Sequence, residues 1–208
     1  QYDSGVTNSL KLNSFFEWCA KLKTISFPSG WSSITVTTTA RMFYGCSSLT
    51  GANVGNMNLQ NVTAANVMFR DCASLAVVTF GNNQPFKNTT NMQAMFRNCS
   101  RLTTLNGLSY VQTSNVTNMD YAFYDTGQYS DSFILNLADW ETSSVESMYC
   151  MFCSAGQAAS TWRVEGIKNW DVSSVENMAF MFEYAGYMGE SNINLDLSGW
   201  DTSSVNNV

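Results

Sequence analysis

The sequence predicts an α/β repeat solenoid with one short parallel strand and one short helix per repeat of 26–30 residues. Three observations carry this: a recurring Met-Phe signature, apolar columns in register with it, and a strand-like segment upstream of it. The signature reads Phe15-Phe16-Glu17-Trp18-Cys19, Met42-Phe43-Tyr44-Gly45-Cys46, Met68-Phe69-Arg70-Asp71-Cys72 and Met95-Phe96-Arg97-Asn98-Cys99. It continues, with the cysteine replaced, as Ala122-Phe123-Tyr124-Asp125-Thr126, Met151-Phe152-Cys153-Ser154-Ala155 and Met181-Phe182-Glu183-Tyr184-Ala185. The anchors Phe16, Phe43, Phe69, Phe96, Phe123, Phe152 and Phe182 are expected to form the structural core, because a repeat of this length buries its apolar face only against its neighbours.

The strands come first in each unit. Val77-Val78-Thr79-Phe80, Leu135-Asn136-Leu137 and Ile193-Asn194-Leu195-Asp196-Leu197 read as short strands, several alternating with period two. Equivalent strands should stack in parallel at about 4.8 Å. The segment from Ala52 to Met57 is a poor strand. Counting from each anchor, Val36, Val62, Val116, Val145 or Val175 stands at −7 and Leu12, Met92, Met119, Met148 or Met178 at −4. Met usually stands at −1, Cys, Thr or Ala at +3, and Leu22, Leu49, Leu75 or Leu102 at +6. These positions fit one face of a short helix. Asn61, Asn115, Ser144, Ser174 or Ser204 at −8 would cap it. The +3 column keeps small size rather than sulfur, as a close-packed position requires, and Met fills gaps in the same core.

Residues 1–208 read as a single array. Residues 1–9 are a leader or cap, 10–126 are short Cys-type units, and 127–208 are longer Gly-type units with Gly127, Gly156 and Gly186 at +4. The extra residues, 129–133, 158–164 and 188–192, are expected as loops on one side of the solenoid, often a binding side. The last unit opens with Trp200-Asp201-Thr202-Ser203-Ser204-Val205 without its Met-Phe, so the expectation is that the protein continues or that a partner caps it.

The chain has no histidine, which removes the commonest general base and metal ligand. No apolar run approaches the roughly 18 residues of a membrane helix. No signal peptide is visible at Gln1. Charge is lopsided: residues 1–105 hold eight Lys/Arg against three Asp/Glu, residues 106–208 two against thirteen. Such a split fits a directional partner surface or end-to-end association, or drift of solvated faces along an array.

Cys150-Met151-Phe152-Cys153 is a Cys-x-x-Cys. A redox role needs a lowered thiol pKa, and zinc needs two more ligands, while packing of the Met-Phe segment needs neither. Trp140, Trp170 and Trp200 share a column and precede Glu141, Asp171 and Asp201. As a surface ladder these six residues could hold sugar rings or a partner peptide. As structure they would cover one edge of the core, the acid completing a turn. Carboxylate pairs for glycoside hydrolysis could come from Asp139, Glu141, Glu146 and Asp171, but acids recurring at the repeat period point to a surface feature. Asn61, Asn88, Asn98 and Asn115 open glycosylation sequons that serve equally as turn residues. The basic balance of the first half is too mild for a nucleic-acid face.

Leu195-Asp196-Leu197-Ser198-Gly199-Trp200-Asp201-Thr202-Ser203-Ser204-Val205 and Thr113-Ser114-Asn115-Val116-Thr117-Asn118-Met119 resemble the repeats of BspA-like bacterial surface proteins, a leucine-rich-repeat-like family that includes mycoplasma-type lipoproteins. The resemblance spans almost the whole chain, with Met57 and Gln84 departing from the Trp column. It implies a secreted or cell-surface protein, bacterial or phage, used in adhesion and protein binding, with no shared catalytic residues; the residues themselves call for no cofactor and no metal. The expected function is an extracellular, non-enzymatic module binding protein or glycan. The alternative is a structural subunit of a filament, appendage or virion assembling head-to-tail with copies of itself. Neither nucleic acid nor direct membrane insertion by this segment is expected.

Overall fold

Each coil pairs backbone polar groups with the coils on either side of it, and the result is a parallel β-solenoid. The structure is a computed structural model, and it describes residues 9–189 and 193–208. The expected leader lies almost wholly outside the described residues. Strands β2 (Thr24–Ser26), β4 (Gly51–Asn53), β5 (Val77–Thr79) and β6 (Thr104–Asn106) form a four-stranded parallel sheet in that order. Ile25, Ala52, Val78 and Leu105 lie in register across it. Strands β1 (Ser9–Lys11) and β3 (Thr35–Thr38) pair separately, as do β7 (Ser132–Asn136) and β8 (Thr161–Glu165). The segment near Ala52 pairs on both sides despite its weak strand character, because Ala52 is buried and the neighbouring coils fix its register. No strand is assigned to residues 193–197.

A further column stands at −5 from each anchor. Parallel bridges link Thr38, Ala64, Asn91, Asn118, Ser147, Asn177 and Asn207 in turn. Asparagine recurs there because its Oδ1 accepts the amide two residues on, at 2.9 Å for Asn91, 3.0 Å for Asn118 and 3.1 Å for Asn177. Each is an Asx turn that starts the bend into the Met-Phe segment.

The helix expected at each Met-Phe does not form. Helical structure among the described residues is limited to three 3₁₀ segments, Ser29–Ser33, Leu108–Tyr110 and Ile167–Asn169. A run of tight turns takes its place. In coil 2 the amides of Met42, Tyr44 and Cys46 donate to the carbonyls three residues back, while those of Arg41, Phe43 and Gly45 donate to Asn66, Met68 and Arg70 of the next coil. The other complete coils repeat the scheme. Alternating in this way requires the left-handed region at −2 and +2, and every coil has it there, for example Val67 (φ 63°) and Asp71 (φ 61°) around Phe69. Successive three-residue turns and a helix both place every third residue on one face, so the apolar pattern fits both. The residues at −8 are therefore not helix caps. They join coils instead: Asn115 Nδ2 donates to the Lys87 carbonyl at 2.8 Å and Ser144 Oγ to the Ser114 carbonyl at 2.7 Å.

The anchors lie inside these turns. Consecutive rings from Phe16 to Phe182 stack nearly parallel, with centroids 5.2–5.6 Å apart. This is the strand spacing with the lateral offset that aromatic quadrupoles favour. Phe43, Phe69, Phe96, Phe123 and Phe152 are fully buried, whereas Phe16 and Phe182 are half-buried. Gln84 is exposed, and Phe86 two residues later fills the interior of that coil.

The +3 column carries a donor in four coils, while Ala155 and Ala185 keep only its small size. Cys46, Cys72 and Cys99 Sγ donate to the carbonyls of Phe16, Phe43 and Phe69 at 3.0–3.1 Å. Thr126 Oγ1 makes the same bond to Phe96 at 2.9 Å. In the Gly-type coils the Gly at +4 adds an amide bond to the preceding coil, with Gly127 N–H on the Cys99 carbonyl at 3.0 Å and Gly156 N–H on the Thr126 carbonyl at 2.8 Å. Thr126→Ala is expected to cost about 1 kcal/mol, the net worth of one buried hydrogen bond. Thr126→Cys should recover most of it, and denaturant midpoints of the two variants check this.

Two expected loops are shorter than their sequence spans. Residues 132–133 and 161–164 belong to β7 and β8, whose Phe133 and Trp162 point inward and stack at 6.2 Å. Alternation of buried and exposed residues along both strands puts them there. Part of the third loop, residues 190–192, lies outside the described residues.

Candidate binding surfaces

The Trp column is mostly interior. Trp140 and Trp170 are buried and Trp200 is half-buried against the core. Trp170 and Trp200 stack at 6.4 Å, and their indole N–H groups donate to the carbonyls of Leu137 and Ile167. The acids that follow are exposed: Glu141, Asp171 and Asp201. Asp171 and Asp201 act as turn formers. The Ser173 hydroxyl and amide hold the Asp171 carboxyl below the usual range, and those of Ser203 do the same for Asp201. Trp140, Glu141 and Asp171 meet around a shallow depression of about 340 Å³. What this edge exposes is a row of carboxylates, with the indoles of the column turned into the core beneath it.

A second feature lies where Cys-type coils give way to Gly-type coils. Among the described residues no strand pairing joins β6 to β7. An open cleft of about 390 Å³ marks the break, lined by Leu105, Gly107, Leu108, Ile134, Asn136 and Asp139 among others. The indole N–H of Trp140, first of its column after the break, has no partner, whereas Trp170 and Trp200 each find a carbonyl on the preceding coil.

The most extensive feature is on the Met-Phe side, and sequence reasoning missed it. The −2 and +1 side chains of each turn stand next to each other, and in most coils at least one of the two reaches the surface. Arg41 pairs with Glu17 of the previous coil, and its guanidinium lies 4.5 Å from the Tyr44 ring, with Arg70 at 5.5 Å. Arg97 sits 4.8 and 4.6 Å from Tyr121 and Tyr124. The row continues through Tyr149, 5.1 Å from Tyr121, to the exposed Phe180 at 5.8 Å. Asp120 ties the coils beneath, accepting from the Ser147 hydroxyl at 2.5 Å and the Tyr149 amide at 2.9 Å. Burial raises the Tyr121 hydroxyl above its ordinary pKa, with Tyr149 adding to it. The hint was the chemistry of the +1 column itself: Glu17, Tyr44, Arg70, Arg97 and Tyr124 are not core residue types, and stacking of the coils sets them one above another.

The cysteines divide by environment. Cys150 and Cys153 are joined as a disulfide, while Cys19, Cys46, Cys72 and Cys99 are free. Burial pushes the Cys46 thiol up to about 11, and raises Cys72 and Cys99 further. Their thiolate fraction near neutral pH is therefore negligible. Native alkylation followed by peptide mapping is expected to label the exposed Cys19 and to spare Cys46, Cys72 and Cys99 until the chain is denatured.

No helix among the described residues is long and apolar enough to cross a membrane. Comparison with curated proteins found no match, nor did comparison with solved structures. A model of one repeat family matches residues 7–133, 82–166 and 136–208. Its coverage follows the coils from the first stacked strand through the last bridge column, and the chain accordingly belongs to the family described as Mycoplasma protein of unknown function, DUF285.

Proposed function

We propose that this chain is a non-enzymatic recognition module that binds a protein or glycan partner at a cell surface through the Arg–Tyr row of its Met-Phe side. The observation that carries this is the row itself. Arg41, Arg70 and Arg97 rest against Tyr44, Tyr121 and Tyr124 at cation–π distance, pre-organised by the coil stack. Arginine and tyrosine are the residue types that dominate binding energy at interfaces, and here little side-chain entropy remains to be lost on docking. The resemblance to BspA-like surface proteins supports an extracellular or virion-surface setting. The test is a screen of matrix proteins and glycans against the wild type and an Arg41→Ala/Arg70→Ala/Arg97→Ala variant of matched melting temperature. A partner whose binding weakens at least about tenfold in the variant, the loss of a modest hot spot, supports the reading. No binding at high micromolar concentration, or equal binding by both proteins, removes it.

A structural subunit is the second reading, and one observation favours it. In the complete Met-Phe turns the inter-coil amides at −2, 0 and +2 donate to the following coil, as Val67, Phe69 and Asp71 do to Gln93, Met95 and Arg97, which gives this part of the stack a donor end and an acceptor end. Together with the charge split this suits head-to-tail growth. Sedimentation at low and high salt tests it: salt-sensitive assembly supports it, and a monomer under both conditions removes it for this chain alone.

A further inference from the structure

The −2 and +1 positions that build the Arg–Tyr row hold cysteine in coil 6. Turn geometry brings these two side chains together in other coils too, as Arg41 with Tyr44 and Tyr121 with Tyr124 show. In coil 6 the result is Cys150 beside Cys153, and the +1 residue of the next coil, Glu183, extends the pair. The three ligand-type atoms lie within 4.8 Å of one another, and no other group of three such residues does so among the described residues. Both cysteines are buried, and Glu183 is exposed. The backbone holds Glu183 in place, its carbonyl accepting from Ser154 at 2.7 Å and its amide donating to Phe180 at 3.0 Å.

We propose that Cys150, Cys153 and Glu183 form a redox-gated zinc site, closed as the disulfide and open to Zn²⁺ as the dithiol. Two thiolates at Cys-x-x-Cys spacing plus one carboxylate are a three-ligand zinc set, with water in the fourth tetrahedral position. On reduction the two sulfurs, bonded in the disulfide, need only part to about 3.8 Å to bind one tetrahedral ion at bonds of roughly 2.0–2.3 Å, with the nearby Glu183 carboxylate closing on the same point. The carboxylate makes a divalent, borderline-soft ion the better fit than Cu(I).

Opening needs a dithiol reductant. Its thiolate attacks the Cys150 sulfur, the more exposed of the two, forming a mixed disulfide and releasing the Cys153 thiolate. The second reductant thiol then displaces Cys150 and closes the reductant's own ring disulfide. Two electrons and two protons pass from the reductant to the protein. Binding of Zn²⁺ then releases the two thiol protons.

The test uses the full chain in a Cys19→Ser background, which removes the exposed thiol. Oxidised and dithiothreitol-reduced protein, the latter freed of reductant without air, are titrated with Zn²⁺ against a chromophoric chelator. Co²⁺ is the second probe, read by thiolate-to-metal charge-transfer absorption. The expected result is one equivalent of metal in the reduced protein and none in the oxidised protein. Glu183→Gln should weaken binding by about tenfold or more, at least the cost of losing a ligand's hydrogen-bond partner. Cys150→Ser/Cys153→Ser should abolish it. Equal binding by oxidised and reduced protein, no binding after reduction, or unchanged affinity in Glu183→Gln would overturn the proposal. The glutamate variant decides the matter even where the double serine variant misfolds.

Discussion

Phe96→Ala is expected to destabilise the fold by about 3–5 kcal/mol, the usual loss for a fully buried aromatic ring. Phe96 is sandwiched between Phe69 and Phe123, with centroids at 5.6 and 5.5 Å, and Phe80 meets its edge at 6.5 Å. Removing it leaves a void in the middle of the stack, where the coils cannot close up without breaking the amide ladder on either side. Phe152→Ala should behave alike, since that ring is buried between Phe123 and Phe182. Domains of ordinary stability hold only about 5–15 kcal/mol in total. In an array whose coils contact only their neighbours, the damage should first uncouple the coils around the void. Phe15→Ala is the control: Phe15 occupies the Met column of its coil but is 59% exposed, so its loss should shift the denaturant midpoint little. Equal effects of the two changes would mean that the anchor rings are not the core.

Gly166→Ala is expected to cost about 2–5 kcal/mol. Gly166 turns the chain out of β8 with φ +85°, and a Cβ there would stand 2.3 Å from the backbone N and Cα of Ala138 on the preceding coil. Two penalties add. The left-handed conformation costs an L-residue about 1–2 kcal/mol, and overpacking against a neighbour costs about 1–3 kcal/mol. Neither can relax cheaply, because the obstacle is backbone already fixed by its own coil. A denaturant midpoint for Gly166→Ala within error of wild type would show that adjacent coils approach less closely than described. The left-handed sites at −2 and +2 are a milder case where the side chain is exposed, as at Trp18, Arg41 and Tyr184.

The period, the inward columns and the Phe stack were legible in the sequence because stacking repeats the same environment at the same offset, and only apolar side chains suit it. The turn face was not. Burial at every third residue is common to a helix and to consecutive tight turns, so Val62, Met68 and Cys72 cannot tell them apart. The discriminating residues were polar ones: Asn91 and Asn118 forming Asx turns, and Gly45, Asp71, Asn98 and Asp125 at positive φ. Glycine, asparagine and aspartate recurring two residues after the anchor favour turns over helix. The surface row is built partly between coils: the −2 and +1 residues, three apart, are neighbours in a tight turn and on a helix alike, as with Cys150 and Cys153, whereas Arg97 meets Tyr121 only through the stacking of coils. Of the candidate surface residues, the exposed acids Glu141, Asp171 and Asp201 were readable from their periodic spacing. The burial of Trp140 and Trp170 is not legible in the sequence, because a tryptophan column suits a core edge and a binding platform alike.

Ring-to-ring nuclear Overhauser contacts in phenylalanine-labelled protein measure the coil stack most directly. The anchors should give an unbroken chain of contacts, Phe43 to Phe69, Phe69 to Phe96, Phe96 to Phe123 and Phe123 to Phe152, each between residues 26–29 apart in sequence, with no contact skipping a coil. Anchors that contact only residues of their own unit, with the sequential amide pattern of a helix across Met-Phe, would contradict it.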